Sequence, residues 1–140
     1  MNYAPLILVV EDHEASRGFL KALFRVEGYR VIEAADGEEA LSLLAQHRPD
    51  LIITDLMMPG MSGQEFIRRV RAQPHYSGTP IVVTTALEKA DLISAARRGV
   101  ELYLRKPLDT DRIVREVRRL LAPVQWHPQP TPAGSGQVSV

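Results

Sequence analysis

The chain has 140 residues, no cysteine, and 17 Lys plus Arg against 17 Asp plus Glu. That length gives one domain able to bury roughly two-thirds of its unfolded surface without a disulfide or metal staple. The lack of cysteine excludes thiolate chemistry and a disulfide framework, and the balanced charge provides no global field for nucleic acid. No apolar run approaches the ~18 residues of a membrane span, so a cytoplasmic protein is expected.

Leu6 to Val10 is a continuous apolar run that stops at Glu11-Asp12, the pattern of a strand in a parallel sheet covered on both faces. Phe19, Leu20, Leu23 and Phe24 then recur at helical spacing, with Arg17, Lys21 and Arg25 on the other side and Gly28 as the stop. Tyr29 to Ala34 predicts a second strand. Asp36 and Glu39 have the capping-box spacing for a helix that buries Ala40, Leu41 and Leu44 and ends by His47-Arg48-Pro49. Leu51 to Thr54 is the third strand. Ser62 and Glu65 repeat the capping box before a helix whose apolar face is Gly63, Phe66, Ile67 and Val70, and a loop over Gln73 to Pro80 follows.

Pro80 to Thr85 predicts a fourth strand, Glu88 to Gly99 an Ala-rich fourth helix, and Leu102 to Leu104 a short fifth strand. The last helix starts near Asp109, buries Ile113, Val117, Leu120 and Leu121, and turns Arg112, Arg115, Arg118 and Arg119 outward. Five strands alternating with five helices make a single α/β domain with a doubly wound parallel sheet over residues 1–122. From Pro123 a Pro/Gly-rich stretch, 123–140, reads as a disordered tail or linker, with Trp126 an exposed or loosely docked residue within it.

In a doubly wound sheet, ligands bind outside the carboxyl ends of the strands. The first, third, fourth and fifth strands deliver Glu11-Asp12, Asp55, Thr85 and Lys106 to that edge, and Asp55 is expected to be presented rather than buried. Three carboxylates at one rim stay ionised together only with a cation among them. The best match is Mg²⁺, which takes oxygen ligands and commonly combines one or two carboxylates with a phosphate. With that charge covered, one carboxylate can attack phosphorus, and Asp55, ending the central strand, is the choice. Lys106 can pair with a phosphoryl oxygen and Thr85 can donate its hydroxyl to another.

Leu8-Val9-Val10-Glu11-Asp12, Asp55-Leu56-Met57-Met58-Pro59-Gly60-Met61-Ser62-Gly63, Thr85-Ala86 and Tyr103-Leu104-Arg105-Lys106-Pro107 resemble the signatures of the receiver domain of bacterial response regulators. The intervals agree, 30 residues from Asp55 to Thr85 and 21 from Thr85 to Lys106. The resemblance implies a flavodoxin-like strand order 2-1-3-4-5 and a phosphoryl group taken from a sensor histidine kinase or phosphotransfer protein. By position it makes Asp55 the phosphoacceptor, Glu11 and Asp12 metal-binding acids, and the backbone carbonyl of Met57 a further Mg²⁺ ligand. Thr85 and Tyr103 become a switch pair that alters the surface of the fourth helix, fifth strand and fifth helix, and Lys106-Pro107 is expected to be cis. Met57 and Leu87 are apolar where some relatives carry polar groups that position attacking water, so slow hydrolysis of the phosphoryl group is expected. Many relatives continue into an effector domain, whereas a tail follows here.

Simpler roles stand beside these. Thr85 also has the spacing of an N-cap, Tyr103 that of an edge-strand aromatic, and the arginine row that of a solvated face, or, with Glu101 and Asp109, of a phosphorylation-dependent homodimer contact. The four histidines show no ligand spacing, and Met57, Met58 and Met61 read as turn and core filler. A protein-interaction module of the same fold that does not use phosphorylation is the alternative function. A hydrolase with an aspartyl phosphate intermediate lacks a second acid at Met57, and flavin binding lacks a phosphate-cradling loop after the first strand.

Overall fold

The computed structural model describes residues 3–86 and 99–122. The predicted fourth helix, Leu87 and the 123–140 stretch with Trp126 lie outside the described residues. Five parallel strands, β1 (Leu6–Val10), β2 (Arg30–Ala34), β3 (Leu51–Asp55), β4 (Ile81–Thr85) and β5 (Leu102–Arg105), form one sheet in the order β2-β1-β3-β4-β5. Four α-helices are described: α1 (Glu14–Val26), α2 (Gly37–Gln46), α3 (Gly63–Arg71) and α4 (Thr110–Leu121). The last of these is the fifth helix of the sequence reading.

Every residue of β1, β3 and β4 is buried, because helices cover both faces of the sheet, whereas β2 and β5 are edges and only partly buried. Successive side chains on a strand point to opposite faces. Leu8, Val10, Ile52 and Val83 accordingly pack with Ala40 and Leu44 of α2 and Phe66 and Val70 of α3. Their neighbours Ile7, Val9, Ile53 and Val82 pack instead with Leu20 and Phe24 of α1 and Ile113 and Val117 of α4.

Local chemistry sets the helix ends. Gly28, at φ +96°, closes α1 in a Schellman arrangement: its N–H donates to Arg25 O at 3.0 Å and Tyr29 N donates to Phe24 O at 3.0 Å. The rings of Phe24 and Tyr29 supply the accompanying apolar contact, with centroids 6.4 Å apart. At the other end, the cap is His13, whose Nδ1 accepts from Ser16 N. Asp36 caps α2 through Glu39 N at 2.8 Å, and Glu39 reaches back to Ala35 N at 2.7 Å. Ser62 caps α3 through Glu65 N at 3.1 Å, but the reciprocal half of that expected box is absent because Arg68 and Arg69 take the Glu65 carboxylate.

Two core expectations change. Phe19 is half exposed: the inward stripe of α1 runs through Leu20 and Phe24, and Phe19 sits a helical step away, in a cleft shared with Pro107 and Leu108. Within the predicted loop 73–80, Pro74–Tyr76 forms a 3₁₀ turn that buries Tyr76 completely. Its hydroxyl lies 2.7 Å from Leu44 O and 2.8 Å from His47 O, supplying a donor to carbonyls that the end of α2 leaves without intrahelical partners.

Candidate functional site

Strand register aligns the functional positions in one row. Val10 lies opposite Thr54, Asp55 opposite Thr84, and Thr85 opposite Arg105, so Glu11, Asp55, Thr85 and Lys106 all arrive at the carboxyl edge. The chain leaves β1 for β2 on one side and β3 for β4 on the other, which makes the β1/β3 gap the topological switch point.

Asp55 is buried there, its side chain 8% exposed, and the expectation that it would be presented is corrected. β3 has a strand on each side, and the Lys106 stem reaches in from β5 to meet its carboxylate. Asp55 Oδ2 accepts from Lys106 Nζ at 2.8 Å, and Oδ1 accepts from Met57 N at 3.1 Å, so the two oxygens are held by different donors. Lys106 Nζ also donates to Glu11 Oε1 at 3.1 Å. Burial by itself would lower the Lys106 pKa, but the hydrogen bonds and charges of Asp55 and Glu11 outweigh it, and the net direction is upward. The ammonium therefore stays protonated at neutral pH.

Glu11 is buried, its Oε2 accepting from His13 N at 3.0 Å, while Asp12 is exposed. One carboxylate oxygen from each of Glu11, Asp12 and Asp55 can be chosen so that all three lie within 4.8 Å of one another. Opposite oxygens around Mg²⁺, each at about 2.1 Å, are about 4.2 Å apart. The three acids are hard oxygen donors that converge within 4.8 Å, the donor chemistry that Mg²⁺ takes, so the residues fit such an ion.

Thr85 is completely buried at the last position of β4, and its carbonyl accepts from Lys106 N at 2.7 Å. Tyr103 does not join the rim. It lies opposite Val83, two positions back from the strand edge, half-buried against the core cluster, and burial raises the pKa of its phenol. Met57 is 63% exposed in the turn beside Asp55, whereas Met58 and Met61 pack against the core.

The sequence reading missed two structural supports. Gly63 was placed on the apolar face of α3, yet a Cβ there would lie 2.7 Å from Leu56 Cα and 2.8 Å from Asp55 O, so only glycine lets α3 start against the backbone that follows the central acid. Arg17 was placed on the outward face of α1, yet it donates to the backbone carbonyl of Glu11 at 2.9 Å and to Glu33 on β2 at 3.1 Å. Its signal was the i,i+4 pair of Arg17 and Lys21, which meets the acid at Glu33. Lys106-Pro107 is cis, as the resemblance implies.

Residues 7–118 match the family model described as response regulator receiver domain. The chain is 39% identical over 115 residues to response regulator PleD of Caulobacter vibrioides, covering 81% of this chain and 25% of PleD. It is 31% identical over 117 residues to protein PilH of Pseudomonas aeruginosa, covering 83% of this chain and 97% of PilH. Among solved structures it is similar to the receiver domain of sensor histidine kinase PA1611 from P. aeruginosa, described with a magnesium ion coordinated in the active site cleft. That match has a TM-score of 0.78 and 30% identity, covering 84% of this chain and 98% of that one. The chain spans about half the length, or less, of several curated relatives. Among the described residues no helix is long and apolar enough to cross a membrane.

Proposed function

Because the chain belongs to the response regulator receiver family of two-component signalling, we propose that it is a phosphorylation switch whose acceptor is Asp55. The donor is a phosphohistidine on a sensor histidine kinase or a phosphotransfer protein. A P–O bond forms at the Asp55 carboxylate as the P–N bond to the imidazole breaks, leaving an aspartyl phosphate. The observation that carries this reading is the single ammonium of Lys106 shared by Asp55 and Glu11, within a set of three converging carboxylates. Among the described residues one cation serves three acids, which leaves the site short of positive charge, and further cationic charge is needed before a group more negative still can enter.

Glu11, Asp12, Asp55 and the carbonyl of Met57 would hold Mg²⁺. When bound, the ion supplies Lewis acidity and offsets charge on the phosphoryl oxygens. Lys106, already aimed at Asp55 Oδ2, would pair with one phosphoryl oxygen, and the Thr85 hydroxyl would donate to another. The N–H of Met57 keeps the Asp55 carboxylate from rotating away from this arrangement. Thr85 and Tyr103 would carry the change outward to the surface formed by the predicted fourth helix, β5 and α4.

A phosphorylation-dependent homodimer using Glu101 and the arginine row has fewer groups to work with than the sequence implies. Glu101 is held by Arg71 and by Ile81 N, and Arg118 and Arg119 pair with Glu27 and Glu116. The exposed apolar side chain of Met57 beside the acceptor supports slow hydrolysis, which a phosphorylated lifetime of only seconds would contradict.

The test uses a small phosphoryl donor, phosphoramidate or acetyl phosphate, with and without Mg²⁺, followed by intact-mass measurement. Wild-type chain is expected to take up a single phosphoryl group only with Mg²⁺, and Asp55→Asn none. Undiminished uptake by Asp55→Asn overturns the assignment.

A further inference from the structure

We propose that Arg17 is a positioning residue for the divalent cation: it braces the turn after β1 from behind, so that the carboxylates of Glu11 and Asp12 stay converged on Asp55. This rests on the reading that the acid rim binds such an ion.

The Glu11 peptide is held at both ends. Its N–H donates to Ala34 O of β2 at 3.0 Å, and its carbonyl accepts from Arg17 Nη1 at 2.9 Å. Arg17 is anchored in turn. Its Nε donates to Glu33 Oε1 at 3.1 Å, and Lys21 Nζ holds the other Glu33 oxygen at 2.6 Å. Glu33 lies opposite Val9 in the β1/β2 register, so this ion-paired group ties the first turn of α1 to the sheet directly behind the acids. The Arg17 side chain is only 18% exposed, and its planar fork can address a carbonyl and a carboxylate at once, which a single ammonium cannot do with the same geometry. Asp12 has no such tether of its own among the described residues and inherits its placement from the Glu11 backbone.

Charge and geometry predict opposite signs. Arg17 is a cation near a site for a cation, so if it acted through charge alone its removal would tighten metal binding. If it acts as a brace, its removal loosens binding, and supports behind metal ligands typically govern affinity by about 10–100-fold. The chain itself, titrated with Mg²⁺ by calorimetry, separates the two. Arg17→Met is expected to bind Mg²⁺ about 10-fold more weakly than wild type. Lys21→Met removes the same charge and also contacts Glu33 but leaves Glu11 untouched, and it is expected to bind as wild type does or slightly more tightly. Arg17→Met binding with unchanged or higher affinity overturns the brace, as does an equal loss in Lys21→Met. Melting curves without metal show whether Arg17→Met is folded. Should it not be, Arg17→Lys, which keeps the charge but not the two-point hold, takes its place, and wild-type affinity in that variant likewise overturns the brace. Wild-type chain with no Mg²⁺ binding that Asp55→Asn abolishes would overturn this inference and the metal reading together, whereas failure of Arg17→Met alone leaves the latter standing.

Discussion

Two carboxylate clusters on this molecule have opposite arithmetic. On the outer face of α3, Glu65 is served by two cations, Arg68 at 2.6 Å and Arg69 at 2.8 Å, and all three side chains are open to solvent. At the strand rim one cation, Lys106, bridges two carboxylates that are almost completely buried, with a third beside them. The first cluster is complete and water-screened, and such pairs contribute little to stability. Among the described residues the second is short of positive charge, and Glu11 and Asp55 are buried too deeply for water to screen them as it screens Glu65. Close geometry alone is therefore a poor guide to importance. The Glu65 carboxyl is held down to about 2, mainly by hydrogen bonds from Arg68 and Arg69, yet it stays in contact with solvent on the helix surface.

Breaking the buried cluster should have the largest effect. Lys106→Met leaves Asp55 and Glu11 as uncompensated neighbours, and the 3–5 kcal/mol typical of such a change, discounted for partial exposure, becomes about 2–4 kcal/mol. Denaturant unfolding without metal measures it. Mg²⁺ should raise the melting temperature of Lys106→Met more than that of wild type, because the ion then takes over charge the ammonium carried. Gly63→Ala tests the frame rather than the charge. The added methyl meets backbone, which must shift, at a cost of about 1–3 kcal/mol in chemical denaturation and with a drop in phosphoryl uptake at Asp55.

A smaller effect is expected from Glu33, whose side chain is about as open as that of Glu65 but whose partner Arg17 is largely buried. Hydrogen bonding from Lys21 lowers its pKa below the ordinary 4.5, against an opposing effect of burial, and Arg17 adds in the same downward direction. A carboxyl with a lowered folded pKa stabilises the native state above its unfolded value and loses that contribution as pH falls through the folded one. Wild type should thus lose stability on acidification below about 4.5, and Glu33→Gln should show a shallower fall in thermal melts across the same window. The smallest effect belongs to the surface cluster: Glu65→Gln should leave the melting temperature within error at moderate salt, despite the two close arginine contacts.

The sequence by itself determined what depends on near neighbours along the chain. Strands were legible from apolar runs, the caps at Asp36 and Ser62 from side chains three residues from their targets, and the Gly28 stop from its backbone freedom. The row of Glu11, Asp55, Thr85 and Lys106 was legible because each ends or follows a strand, and parallel strands share an edge. Tertiary structure alone decided how deeply Asp55 is buried, that Phe19 turns outward while Tyr76 fills the core, that Gly63 meets the backbone after the acceptor, and that Arg17 reaches behind Glu11. Periodicity tells a side chain which face to take, but not which segment covers that face. Coverage comes from residues far away in sequence, whose approach is set by packing the whole sheet.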